Sequence, residues 1–320
     1  MYNKVPMRIC SLLPSTTEII CSLGLGDKLV GVTHECDYPP EVSEKKRVVI
    51  SNISTQTNNS KEIDDFVKKN FSEGKSTYLI ETDKLKEARP TLILTQGLCE
   101  VCAVSKNNVL DAVEVLDYQP QVLSLEPNNI KEIMESIIQI SEVTKTQDRA
   151  KELVDEMKLK IEQIKKKVSH ESDRPRVFCL EWLDPPFVAG HWVPEMVEIA
   201  GGNHSLNKVG EYSREVTWEE ILDFAPNYML VMPCGFDNER TLNEIDLVTN
   251  LSQWQQIPAV KKGQAYIVNA NSYFSRPSPR ITQGIEILAG IIHPEIFKKE
   301  FPGDSVINIR NYYHLQSFLG

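Results

Sequence analysis

The side chains best suited to chemistry in this chain are its cysteines and histidines, seven and six in 320 residues, and they are unevenly placed. Cys10, Cys21 and Cys179 fall inside apolar strand-like or helical runs, where a thiol serves as a small buried hydrophobe. Cys36, Cys99, Cys102 and Cys234 come just after such runs. Cys99-Glu100-Val101-Cys102 is a lone CxxC, whereas structural zinc usually takes paired CxxC units or one with two histidines. A metal would therefore draw on several loops: His34 and Cys36 with Cys99 and Cys102, then Cys234 and His191 from later in the chain. Thiolates and imidazoles together suit zinc, iron or copper. Buried thiols that only shape their loops would leave the same pattern. A thioredoxin-like role asks the CxxC to open a helix; here it follows a strand through Gly97, and nothing else has that domain's pattern.

The aromatic residues divide in the same way. Trp218 and Trp254 lie on or beside helices and read as core. Tyr38, Trp182, Trp192, Phe236, Tyr273 and Phe274 sit in loops among Pro and Gly, where rigid aromatic faces suit a large flat ligand. His191 is a candidate axial ligand to a metal in such a ligand, or else a hydrogen-bonded packing residue. Glu181, Asp184 and Glu195 could exchange protons. The sequence holds no nucleophile, base and orienter set, no phosphate loop and no HExxH, so catalysis is not expected.

These loops need elements to position them, and the chain repeats a grammar of apolar strand, polar turn and amphipathic helix. Ile9 to Leu13 reads as a strand, followed by a helix with Ser15 and Glu18 at capping-box spacing and an apolar face of Ile19, Ile20 and Leu23. Leu29 to Val32 begins another strand, and residues 53–76 read as a surface helix flanked by loops. Leu85 to Pro90 followed by Leu92-Ile93-Leu94 is echoed by Leu222 to Pro226 followed by Tyr228 to Val231: a helix ending in Pro, then a buried strand. Helical periodicity runs from Asn129, breaks at Thr144-Lys145-Thr146, and resumes over 147–168 as a charged helix with a narrow apolar stripe. Arg176 to Leu180, Tyr228 to Val231 and Ala265 to Val268 read as strands. Val193 to Ala200, Thr217 to Asp223 (Thr217 and Glu220 at capping-box spacing) and Ser278 to Ile292 read as helices. This is βαβ grammar, which predicts an α/β fold of two Rossmann-like lobes with mainly parallel sheets. The expected division is 1–128, a helical region 129–170 containing the interlobe helix, and 171–320. In open parallel sheets ligands bind beyond the carboxyl ends of the strands, so the Cys-, His- and Trp-bearing loops are expected to face one cleft between the lobes.

Composition bounds the partners. With 35 Lys and Arg against 45 Asp and Glu, a formal charge of −10 argues against gripping phosphate backbones, so no nucleic acid is expected. Disordered, collagen-like and coiled-coil compositions are excluded. An odd number of cysteines at irregular spacing is no disulfide framework. No apolar run reaches the roughly 18 residues of a bilayer span, so no membrane insertion is expected. No leader or lipobox-like Cys precedes the strand at Ile9, so the chain as written is expected in the cytoplasm, and outside it if a native leader is missing.

Leu29-Val30-Gly31-Val32-Thr33 ending in Asp37-Tyr38-Pro39-Pro40, the strand at Leu92, the long helix and the segment Tyr273-Phe274-Ser275-Arg276-Pro277-Ser278-Pro279-Arg280 together resemble the class III substrate-binding proteins of ABC importers. Within that class the chain is most similar to the cobalamin-binding type, related to the ferric-siderophore binders, from about Met7 to His293. The resemblance implies two α/β lobes joined by one rigid helix, a cobalamin-like corrinoid or related metal chelate clamped between them, an importer permease as partner, and a monomer. It implies that Tyr38 packs on the corrin face and that Arg276 contacts the ligand. Gln96 stands where the cobalamin binders have a stacking Trp. Asp83 and Glu219 match the carboxylates offered to the importer, one per lobe. The ligand set expected from residues and resemblance together is Tyr38, Gln96, Trp182, His191, Trp192, Phe236, Tyr273 and Arg276. The alternative is a cytosolic metal-binding protein or metalloenzyme whose His34, Cys36, Cys99, Cys102 and Cys234 hold zinc or iron.

Overall fold

The apolar runs become strands of two six-stranded sheets in the computed structural model, which describes residues 6–319 other than 54–57, 74, 97–105, 115, 172, 298–300 and 304. The sheets belong to two units. One comprises Met1–Asn58, Asp65–Pro127 and Lys131–Val154; the other comprises Asn59–Asp64, Asn128–Ile130 and Asp155–Gly320. Helices Ile130–Thr144 and Gln147–Val168 occupy the stretches their periodicity assigned. Among the described residues no helix is long and apolar enough to cross a membrane.

In the first unit the strands are β1 (Ile9–Ser11), β2 (Leu29–Thr33), β3 (Arg47–Ser51), β4 (Tyr78–Ile80), β5 (Leu92–Thr95) and β6 (Gln121–Ser124), ordered β4-β3-β2-β1-β5-β6. All neighbours are parallel except β3 and β4. Gly31 is required where β2 passes β1: a Cβ there would stand 2.6 Å from Cys10 Sγ and 2.9 Å from Val48. Cys10 is thus a packing residue, its thiol pushed up to about 12 by burial. The helix after β1 departs from the sequence expectation. It begins at Pro14, with Leu13 extended before it and no side-chain cap, so Ser15 already lies inside the first turn and the Ser15/Glu18 capping box does not form.

The second unit holds β7 (Val177–Trp182), β8 (Phe187–Val188), β9 (Arg214–Glu215), β10 (Tyr228–Val231), β11 (Ala265–Val268) and β12 (Val306–Asn308), ordered β12-β11-β10-β7-β8-β9. Its β7, β10 and β11 are parallel; β8, β9 and β12 extend the sheet antiparallel. Phe178, Trp254, Val231 and Ile267 anchor the core on one face, with Trp218 packed against it, as its placement suggested. The capping box at Thr217 is present: Glu220 N–H donates to Thr217 Oγ1 (3.2 Å) and Thr217 N–H to Glu220 Oε2 (2.8 Å). His204 is buried with Nδ1 2.9 Å from Val177 O and Nε2 3.2 Å from Ala189 O, and its desolvation lowers its pKa.

The helix, Pro and strand echo proves to be a duplicated device. Helices Thr82–Ala88 and Trp218–Phe224 each end on a left-handed residue that is not glycine, Arg89 (φ 42) and Ala225 (φ 47), because a following Pro excludes further helix. The carbonyls left over are taken by an arginine just before the central strand. Arg8 Nε and Nη2 donate to Ala88 O at 3.0 and 2.6 Å, and Arg176 Nε and Nη2 to Ala225 O at 3.0 and 2.8 Å. Each arginine's own carbonyl accepts two successive amides of the next strand's start, Thr91 (2.8 Å) and Leu92 (3.1 Å) or Asn227 (2.7 Å) and Tyr228 (3.1 Å). A cation at the negative end of a helix is favourable in itself.

Removing either guanidinium, by Arg8→Ala or Arg176→Ala, is expected to cost about 1–2 kcal/mol, read as a lower urea midpoint. Lowering the pH has a defined sign. The unfolded chain takes up protons on histidine at its ordinary pKa near ~6.5, while burial holds His191 and His204 neutral to lower pH in the native state. Stability is therefore full above that value and declines as pH falls toward the depressed folded values. Denaturation midpoints should fall with acidification over that window, and His204→Gln should flatten the trend.

Candidate functional site

In the first unit the loop after β2 is built around a buried thiol. Cys36, 1% exposed, places Sγ 3.1 Å from Thr17 Oγ1 and 3.3 Å from Thr33 Oγ1, beside a hydroxyl pair, Ser11 and Thr16, 2.6 Å apart. Arg47 Nη1 donates to the Thr33 and Cys36 carbonyls at 2.7 and 2.8 Å, closing the turn from the other side. His34 turns elsewhere, its ring centroid 5.9 Å from that of Tyr78 and its Nε2 3.7 Å from Glu35. Tyr38 then carries a 44% exposed ring ahead of a cis Pro39. Gln96 directly follows β5 and is buried.

The metal set fares differently. Cys99 and Cys102 lie outside the described residues. Among the described residues no group of three or more His, Cys, Asp or Glu side chains is placed to hold a metal ion. Cys36 is committed to hydroxyls, and Cys234, a half-buried free thiol after β10, has its amide bonded to Glu181 O at 2.9 Å.

In the second unit the loops beyond β7, β10 and β11 are stitched into one cluster. Gly235 N–H donates to Ser275 Oγ (3.0 Å) and Asn271 N–H to Phe236 O (2.9 Å), joining the β10 and β11 loops. Trp182, at the end of β7, meets Phe236 at 5.4 Å between ring centroids. Phe236 is only 2% exposed, with the Arg240 guanidinium 4.3 Å over its ring, so it backs Trp182 rather than offering a free face. Trp192 is likewise buried, its Nε1–H donating to Phe274 O at 2.8 Å. Half-buried Tyr273 lies under the Arg280 guanidinium at 4.9 Å, and buried Arg276 donates from Nη2 to Asn271 Oδ1 at 2.7 Å. Cations against ring faces fix both the rings and the charges.

His191 stands at the turn into helix Val193–Ile199 with a left-handed backbone (φ 53), a strain that non-glycine residues seldom carry. Its N–H donates to Glu211 O (2.6 Å), and its ring packs edge-on to Tyr212 at 5.2 Å and beside Trp192 at 5.6 Å. Burial lowers its pKa, which disfavours the imidazolium, and its buried Nδ1 has no hydrogen-bond partner among the described residues. Two of the three acid and base candidates are held structurally. Glu195 accepts the Ile130 N–H (2.8 Å) at the start of helix Ile130–Thr144, and Glu181 accepts the Ser213 hydroxyl (2.8 Å). Asp83 and Glu219 are exposed second residues of the duplicated helices, at matching positions in the two units. Ser60, Arg240 and Glu244 also join the cluster and were not among the sequence candidates. The i, i+4 spacing of Arg240 and Glu244 was the available signal.

Several known proteins are similar to this chain over most of its length. It is 28% identical over 93% of its length to the uncharacterized ABC transporter substrate-binding lipoprotein YvrC of Bacillus subtilis, covering 83% of that protein. The periplasmic vitamin B12-binding protein BtuF of Vibrio cholerae has a similar structure, with a TM-score of 0.64 at 22% identity, covering 89% of this chain and 96% of that one. A periplasmic haem-binding protein of Pseudomonas aeruginosa superposes with a TM-score of 0.71 at 14% identity, covering 94% and 98%. The family profile described as periplasmic binding protein matches residues 9–271, and with two α/β units whose ring-bearing loops follow the strand ends, the chain belongs to the periplasmic-binding-protein family.

Proposed function

We propose that this protein is the substrate-binding component of an ABC importer and that its ligand is a planar metal chelate of the corrinoid and haem class, a cobalamin-like corrinoid being the first candidate. The observation that carries this reading is the stitched cluster after β7, β10 and β11, where Trp182 and Tyr273 keep accessible ring surface and are braced by Phe236 and Arg280. Tyr38, exposed in the first unit, is a further proposed ligand contact. Rings held rigidly in loops lose little entropy on binding a flat ligand. Half-buried His191, in a strained turn beside Trp192, is the proposed axial ligand of the chelate's metal. Relatives named for vitamin B12 or haem support the class. Asp83 and Glu219 are the proposed contacts to the permease. Since the named relatives are periplasmic proteins or lipoproteins, the reading places this one outside the cytoplasmic membrane, and the cytoplasmic expectation finds no support.

Titration with hydroxocobalamin and with haemin, followed by visible spectra, tests the reading. One of them should bind with a perturbed spectrum; Tyr38→Ala should weaken binding about tenfold, the loss of one stacked ring, and His191→Ala should abolish the spectral change. A protein that leaves both spectra unchanged overturns the proposal. For docking, Asp83→Lys with Glu219→Lys should abolish ligand-dependent stimulation of the importer's ATP hydrolysis while the titration midpoints stay in place.

A further inference from the structure

Five residues of the second unit close a circuit. Trp182 Nε1–H donates to Ser60 O (3.1 Å), and Ser60 N–H (2.8 Å) and its hydroxyl both donate to Glu244 Oε2. The other oxygen of Glu244 pairs with Arg240, whose guanidinium lies over Phe236, which in turn meets Trp182. Ser60, the first residue of helix Ser60–Ser72, is fully buried and commits every polar group it has to this circuit. Asn59 caps the same helix, its Oδ1 accepting from Glu62 N–H at 2.9 Å. A carboxylate receiving the first amide of a helix is a charge-assisted bond at the positive end of the dipole.

Ser60, Phe236 and Glu244 are buried, whereas Trp182 and Arg240 are half-buried. We infer that Glu244 and Ser60 are positioning residues that set the plane of Trp182 for the ligand. Glu244 acts on the indole from both sides: through Ser60 on its N–H edge, and through Arg240 and Phe236 on its ring. Without the carboxylate, Ser60 keeps a buried N–H and hydroxyl with no acceptor, a state that drives the helix start off the indole. The inference rests on the ligand reading above for its purpose, and on the circuit alone for its geometry.

The test uses the full chain with Glu244→Ala, Glu244→Gln, Trp182→Phe and the double variant Glu244→Ala/Trp182→Phe, with hydroxocobalamin and haemin as probes and tryptophan emission of the free protein as a second readout. Glu244→Ala should weaken whichever probe binds about tenfold and shift emission to the red. Glu244→Gln, which still accepts from Ser60, should recover part of both. The double variant should bind no more weakly than Trp182→Phe. Additive losses in the double variant, or unchanged affinity and emission in Glu244→Ala, overturn the inference. If the wild-type protein binds neither probe, the ligand reading fails, and the emission shift, lost on the Trp182→Phe background, decides the circuit alone. If Glu244→Ala does not fold, Ser60→Ala, which deletes only the hydroxyl, carries the same cycle.

Discussion

A guanidinium spanning the end of one helix and the start of the central strand is the constraint from which each unit is built. Arg8 binds the last carbonyl of Thr82–Ala88 and Arg176 that of Ala225, the residue that ends Trp218–Phe224, and their own carbonyls take the first amides of β5 and β10. Register follows at once, Ile9 opposite Leu92 and Val177 opposite Tyr228. With helix end and strand start pinned at one edge of the sheet, parallel strands deliver their following loops to the opposite edge. In each unit that edge carries the unit's own candidate ligand side chains.

Within each unit these loops are organised by polar groups more than by hydrophobic contact. Phe236 and Tyr273 each carry an arginine on the ring, Trp182 and Trp192 each spend their indole N–H on a backbone carbonyl, and Cys36 is absorbed into threonine hydroxyls. Directional bonds of this kind choose one rotamer where packing alone would tolerate several. A binding protein benefits because rings already in place need not be ordered by the ligand.

Much of this was legible in one dimension, and the limits have physical causes. The six strands β1, β2, β5, β7, β10 and β11, both long helices, the Thr217 cap and the repeated helix, Pro and strand unit follow from periodicity and local chemistry, which are properties of short windows. The Ser15 cap does not form because a proline and an extended leucine set the helix start two residues earlier, which spacing cannot register. The antiparallel strands β8 and β9 went unread because two residues carry no periodicity and owe their place to their neighbours. Phe236 and Trp192 read as open ring faces; Trp192 is tied down by Phe274, 82 residues on, and Phe236 is covered by Arg240 once the residues after it wind into helix Asn238–Leu242.

The sequence by itself determined the α/β class, the duplication, the acidic charge and which loops would carry Trp, Tyr, Cys and His, since each is written in composition or in windows of about ten to twenty residues. Only the tertiary structure decided what those side chains do: that Cys36 is a buried hydrogen-bonding thiol, that Glu195 caps a helix, that burial disfavours the imidazolium of His191 in its strained turn, and that Ser60 and Glu244 hold Trp182. The reason is that burial and hydrogen bonding join partners from separate elements, Thr17 with Cys36, Ile130 with Glu195, and Ser60 with Trp182 and Glu244, and no local pattern encodes such a pairing.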